Sequence, residues 1–201
     1  MLTESQRAAQ KAETRGRIVA IARRQYVARG SSALRTADVA KEAGLSHGAV
    51  FVHFPKREDL VRAVLGEIGR DLTDRLYALG RAGASLGELL RAHVKALAES
   101  EDEYRRLLIE EPTLTREERL PVVGVQSAIA SHIAEVAARE MKAGRVRKMP
   151  HHLLFNTWIG LVHHYVLHPQ LFAARGSVLE AHGATLVRHF MSLVSVHGEP
   201  R

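Results

Sequence analysis

Between Thr36 and Leu60 the chain reads T-A-D-V-A-K-E-A-G-L-S-H-G-A-V-F-V-H-F-P-K-R-E-D-L, and few folds accommodate that spacing. A short helical pattern (Val39, Ala40, Ala43) meets a glycine stop at Gly44. Ser46 restarts the chain into a second short helix that ends at Phe54–Pro55. Two short helices joined by a tight glycine-containing turn make a helix-turn-helix, whose second helix can lie in a DNA major groove. Thr36 is expected to cap the first helix and Ser46 the second, because hydroxyl oxygens satisfy orphan N–H groups there. Gly44 suits the left-handed residue that closes a helix. Pro55 ends the second helix by removing a donor and disfavouring helix before it.

Charge points the same way. The 201 residues carry a formal net charge of +7. The surplus cations are dense toward the N-terminus, at Arg7, Lys11, Arg15, Arg17, Arg23, Arg24, Arg29 and Arg35. A basic chain concentrates polyanions at its surface, so nucleic acid is the first partner class suggested and a membrane surface the second. Cysteine is absent, which excludes disulfides, thiolate metal sites and cysteine nucleophiles. No uninterrupted apolar run approaches the roughly 18 residues of a membrane span. The polar start, 1–10, lacks the apolar segment of a signal peptide. A soluble, cytoplasmic, nucleoid-associated protein with no membrane partner is expected.

The rest of the chain reads as helix throughout, with about nine helices and an all-α fold. Residues 1–10 read as a flexible basic arm. From Lys11 to Ala28, Ile18, Ile21, Ala22 and Tyr26 face inward and arginines outward. Glu58 and Asp59 open a long helix whose apolar face runs through Leu60, Val61, Val64, Ile68, Leu72, Leu76 and Leu79. Gly80–Ala84 breaks it, and Ser85 with Glu88 forms a capping box for the next helix. A short helix over Glu101–Glu111 closes at Pro112, and Pro112–Glu118 reads as a loop. Pro121 then fits the first turn of a helix over Val122–Lys142. Pro150 and Ser177 open the last two, the former stopped by Pro169. The domain limits that follow are 11–57 and 58–201.

Thr36, Ala40, Ala43-Gly44, Ser46, Gly48, His53-Phe54 and Arg57-Glu58-Asp59-Leu60, preceded by Tyr26 and Arg29-Gly30, resemble the TetR-type bacterial transcriptional regulators. The resemblance implies an N-terminal three-helix DNA-binding domain and a C-terminal helical ligand-binding and dimerisation domain. Gly48 and Ala49 let the second helix sit close to DNA, and His47 and Ala49 can reach bases. Thr36, Ser46, His53, Lys56 and Arg57 ring it as candidate phosphate contacts. Tyr26, Val39, Val50 and Phe54 read as the inward face. Arg57 stands where the family usually has lysine. Phe51 stands where a tyrosine is common, so a phosphate-binding hydroxyl is missing. His47 stands where a lysine is often found, which makes that contact titratable.

The later helices resemble the family's ligand-binding half. A pocket there would be lined by His93, Tyr104, Gln126, Trp158 and His163, a mixed set suited to a small amphipathic effector. Helices over Pro150–Leu167 and Ser177–Val196 are apolar on more than one face, which predicts a homodimer through a four-helix bundle. Gly160, Gly183 and Ala184 would permit close crossing, and the family dimerises in this way. Two recognition helices would then lie ~34–36 Å apart on a palindromic double-stranded operator.

No cofactor is required by this reading. Among the 12 histidines, however, His164 and His168 lie four apart on one helical face, the spacing that lets two imidazoles share a divalent metal. His163, Glu110, His132 or Glu135 would complete such a site. His168 also precedes Pro169 at a helix end, where an imidazole suits the helix dipole. There is no glycine-rich phosphate loop, no Gly-x-Ser-x-Gly elbow and no His-Glu-x-x-His, so an enzyme is not expected. The expected function is a repressor released from its operator by a small-molecule effector. The alternatives are an activator or a metal-responsive regulator and, from another class, an all-helical carrier or enzyme with a basic surface.

Overall fold

The computed structural model describes residues 3–79, 83–173 and 175–196. Among them are ten α-helices, one 3-10 turn and no strand, with a single isolated bridge between Val146 and Ser195. Helix α1 (Glu4–Arg29) begins where Thr3 and Gln6 close a capping box. The arm expected over 1–10 is therefore helix from Glu4 onward. The reciprocal bonds satisfy two orphan N–H groups, and the Glu, Gln, Arg and Ala that follow are good helix formers even when fully exposed. Further along, α1 buries Ile18, Val19, Ile21, Ala22 and Tyr26.

Three helices follow: α2 (Thr36–Ala43), α3 (His47–His53) and α4 (Arg57–Leu79). The expected apolar face of α4 is buried from Leu60 to Leu76. Of the break expected over Gly80–Ala84, residues 80–82 lie outside the described residues. Helix α5 (Leu86–Ala98) starts behind the Ser85–Glu88 capping box. It is followed by α6 (Glu101–Glu110), a 3-10 turn over Glu111–Thr113 and α7 (Arg116–Lys142).

The start of α7 corrects the sequence reading. Thr115 N–H donates to Glu118 Oε2 (2.9 Å) and Glu118 N–H to Thr115 Oγ1 (3.3 Å). This reciprocal cap moves the start from Val122 to Arg116 and leaves Pro121 inside the helix, where it forgoes a backbone bond. Among the described residues α7 alone is long and apolar enough to cross a membrane. Its Ile129, Ile133, Val136 and Ala137 are buried, while most of the apolar stretch is not, 22% of it being enclosed.

The last helices are α8 (His151–Leu167), α9 (Pro169–Phe172) and α10 (Val178–Val194). Pro169 both stops α8 and opens the one-turn α9.

The chain divides into two compact units, Met1–Gly69 with Glu110–Val122, and Arg70–Ile109 with Val123–Arg201. The division falls inside α4, not at the 57/58 junction, and the first unit recruits a segment remote in sequence. Its core holds Ile18, Tyr26, Leu34, Val39, Val50, Phe54 and Leu60. In the second unit α10 packs on α5 and α8, around Leu89, Trp158, Val162, Leu186 and Phe190. There the buried Glu101 carboxylate accepts from the Ser177 hydroxyl (2.5 Å) and from the Val178 and Leu179 N–H groups (3.1 and 2.9 Å). Arg105 neutralises it at 2.5 Å. A carboxylate at a helix N-terminus satisfies orphan donors and the positive dipole end together.

Candidate nucleic-acid interface

The turn between α2 and α3 is built from local chemistry. Gly44 takes φ 65°, ψ 33°, the left-handed conformation glycine adopts without strain. Its N–H and that of Leu45 return to carbonyls of the last α2 turn. Ser46 caps α3 as expected, its Oγ accepting from Ala49 N–H at 3.1 Å. Thr36 does not cap α2. Arg35 occupies the cap position without a side-chain bond, and Thr36 is the first helical residue. Its hydroxyl instead pairs with His47 Nε2 at 3.0 Å.

Val50 and Phe54 are buried beneath α3, and the Arg15 guanidinium lies over the Phe54 ring, 5.0 Å from its centroid. With those positions facing inward, a helical period of 3.6 turns His47, Gly48, Phe51 and Val52 outward. All four are exposed, with Phe51 at 43% and Val52 at 70%. Val52 is absent from the sequence-derived set, although its place four residues after Gly48 puts it on the same face. His47 stands edge-on to Phe51, ring centroids 4.7 Å apart, so Thr36 and Phe51 together fix its ring. The surface offered is apolar at its middle and polar at its rim, able to meet thymine methyl groups and base edges.

The cations differ in standing. Lys56 is exposed, and its side chain has no ion pair among the described residues. Arg35, at the α2 N-terminus, is exposed in the same way and is a further candidate phosphate contact, signalled by a charge placed just before Thr36. Arg57, by contrast, is engaged. Its Nη1 donates to the Ser31 carbonyl (3.0 Å), and its Nε and Nη2 lie 3.8 Å from the Glu58 and Glu118 carboxylates. His53 is half-buried, and its Nδ1 has no partner among the described residues. Burial first, then the charges of Lys11 and Arg15, hold its pKa below the ordinary value.

The loop between α1 and α2 is gripped from the other side. Ser31 N–H donates to Glu110 Oε2 at 2.8 Å, and Gly30 sits at φ 85° with its missing Cβ space filled by Glu110 Oε1. Glu118 is itself buried. The segment 110–122 thus braces the unit that presents α3.

In the second unit four of the five expected effector residues form two pairs, the first buried and the second part-buried. Trp158 Nε1 donates to His93 Nδ1 (3.0 Å), and Tyr104 pairs with His163 Nε2 (2.6 Å). Burial lowers both imidazoles to about 4, His93 with a further push from His163, and raises the Tyr104 phenol. Gln126 is exposed and does not join them.

The expected metal pair does not gather further ligands. His164 and His168 rings lie 4.7 Å apart, with His168 Nδ1 2.9 Å from the His164 carbonyl oxygen. Glu110 is held at Ser31 in the first unit, and His132 faces Tyr77. Among the described residues no group of three or more metal-ligating side chains converges. Spacing on one helix supplied two imidazoles, and among the described residues packing brings no third ligand to them.

Residues 18–64 match the family of bacterial regulatory proteins of the tetR type. The HTH-type transcriptional regulator TtgR of Pseudomonas putida is 38% identical over 56 residues, 28% of this chain and 27% of that protein. The chain thus matches about a quarter of the length of such relatives. The whole fold recurs in solved structures. A transcriptional regulator from Saccharomonospora viridis in complex with choline has a TM-score of 0.78 and 21% identity, covering 92% of this chain and 100% of that one. A TetR-family regulator from Agrobacterium tumefaciens has a TM-score of 0.73 and 18% identity, with the same coverage.

Proposed function

We propose that the chain, whose residues 18–64 match the family of bacterial regulatory proteins of the tetR type, is a homodimeric transcriptional repressor, released from a palindromic operator by a small-molecule effector. The observation that carries the reading is the outward face of α3. Phe51 and Val52 stay exposed where a monomeric core would have no use for them, between the Thr36–His47 pair and Lys56. Such a face reads sequence through apolar contacts and groove shape, with cations at its edge holding phosphates.

Dimerisation is assigned to the outer faces of α8 and α10, where Leu153, Gly160 and Leu193 are exposed. No atom stands within 4 Å of a Cβ built on Gly160, so a second helix can approach closely there. Gly183 and Ala184 are set apart from that face, because the missing Cβ of Gly183 meets Val94 of the same chain and both residues line a groove against α5. The effector is assigned to the second unit around the His93–Trp158 and Tyr104–His163 pairs, as an amphipathic molecule. The neighbour bound to choline makes a small amphiphilic cation one candidate. An effector acts only through its preference for the non-binding state, and moving a population from 1:99 to 99:1 takes ~5.5 kcal/mol. The cytoplasm is the compartment this function requires.

Fluorescence anisotropy with duplexes tiling the chain's own upstream region tests the proposal. A regulator binds one duplex selectively and loses affinity as salt rises. Val52→Asp on the exposed α3 face abolishes that selectivity without changing thermal stability. Equal affinity for every duplex, unchanged by Val52→Asp, contradicts it.

A further inference from the structure

We propose a second small-molecule site on this protein, a groove between α5 and α10 that takes an amphiphilic anion, an aliphatic or aromatic carboxylate. The groove has a volume of about 230 Å³. That is below the ~300–1,000 Å³ of pockets for drug-sized ligands, so its occupant is small. Its floor is apolar, formed by Val94 and Ala98 of α5 and by Leu179, Gly183 and Val187 of α10.

The shape follows from one glycine. A Cβ built on Gly183 would lie 2.2 Å from Val94 Cγ1, so only glycine lets the two helices meet there. Val94 and Gly183 both line the groove, as does the exposed Ala184, whose single methyl takes little of its space.

Charge decides the class of occupant. Arg91 and Lys95 lie four residues apart on α5, which puts them on one face of the helix. Both line the groove, both are exposed, and neither has an ion-pair partner among the described residues. Glu180 is the only acidic side chain of the lining, so the rim is cationic in excess. Two unpaired cations beside an apolar floor fit a ligand with one anionic head and a short apolar body. None of the four paired effector candidates lines this groove, and it does not depend on the DNA-binding reading.

Calorimetric titration of the full chain with octanoate, octylammonium and octanol, with no DNA present, tests the site. Octanoate is expected to bind saturably and tighter than both comparators. Arg91→Gln with Lys95→Gln is expected to weaken octanoate about tenfold, the scale of a charge-assisted hydrogen bond, and to leave octanol unchanged. Glu180→Gln is expected to tighten octanoate. Ala184→Leu, a substitution on an exposed helical face, fills the groove and is expected to remove binding while circular dichroism and sedimentation stay the same. Equal binding of the three ligands, no saturable heat, or retention of octanoate by Ala184→Leu overturns the proposal. So does a change in oligomeric state in Ala184→Leu, which would make the groove a contact between copies.

Discussion

The Ser31 backbone N–H donates to the Glu110 carboxylate across 79 residues of sequence, at 2.8 Å. Ser31 is buried, so the bond replaces water that cannot reach it. On its other side Ser31 gives its carbonyl to Arg57. One residue in the loop before α2 therefore joins the end of α6 to the start of α4, and the placement of α2 and α3 depends on both.

Removing Glu110 leaves a buried donor without its acceptor. Glu110→Ala is expected to destabilise the protein by ~1–3 kcal/mol and Glu110→Gln by less, since the amide oxygen still accepts. Gly30→Ala is expected to cost at least as much, because φ 85° strains any side chain and the new Cβ would meet Glu110 Oε1. Urea unfolding checks the order, and a neutral Glu110→Ala contradicts it.

Lys56 and Arg57 separate by phenotype although they are adjacent. Lys56→Ala is expected to lower the salt slope of operator binding by about one, with stability unchanged. Arg57→Ala is expected to lower the melting temperature, since it frees the Ser31 carbonyl and leaves buried Glu118 without its nearest cation. Paired melting curves and salt titrations distinguish the two, and identical behaviour would refute the assignment.

The meeting of α5 and α10 predicts a compensating pair. Gly183→Ala is expected to cost ~1–3 kcal/mol by overpacking against buried Val94. Val94→Ala opens a small cavity by itself. In the double variant the two volume changes offset, so the cycle should show a coupling of ~0.5–3 kcal/mol. Simple additivity would show that the helices shift freely.

His93 and His163 make stability depend on pH. Both have folded pKa values of about 4 against an ordinary 6.5, lowered chiefly by burial. The unfolded chain therefore takes up protons first as pH falls. Their contribution is complete above pH ~6.5 and is lost progressively down to pH ~4. For the fully buried His93 this is on the order of 3 kcal/mol. Denaturant midpoints between these limits should fall for the native protein and fall less for His93→Gln. An unchanged slope in that variant would contradict the coupling.

Much of the architecture is legible from neighbours in sequence. Ser46, Ser85 and Ser177 cap their helices through the N–H three residues ahead, and Gly44 turns left-handed, because these bonds involve only adjacent backbone. The Thr3–Gln6 and Thr115–Glu118 caps are equally local. The polarity of the first residues and the presence of Pro121 masked them, and both helices begin earlier than periodicity alone suggests.

What the sequence determined by itself is the helical fold and the outward face of α3, since caps and a 3.6-residue period are properties of nearby residues. Tertiary structure decided which polar side chains remain available. Arg57 reads as a phosphate contact until Ser31, 26 residues away, claims it. His93 and Trp158 read as separate pocket residues until packing brings them together across 65 residues. A hydrogen bond between distant segments exists only once the chain has closed the loop between them, and no local pattern records that choice.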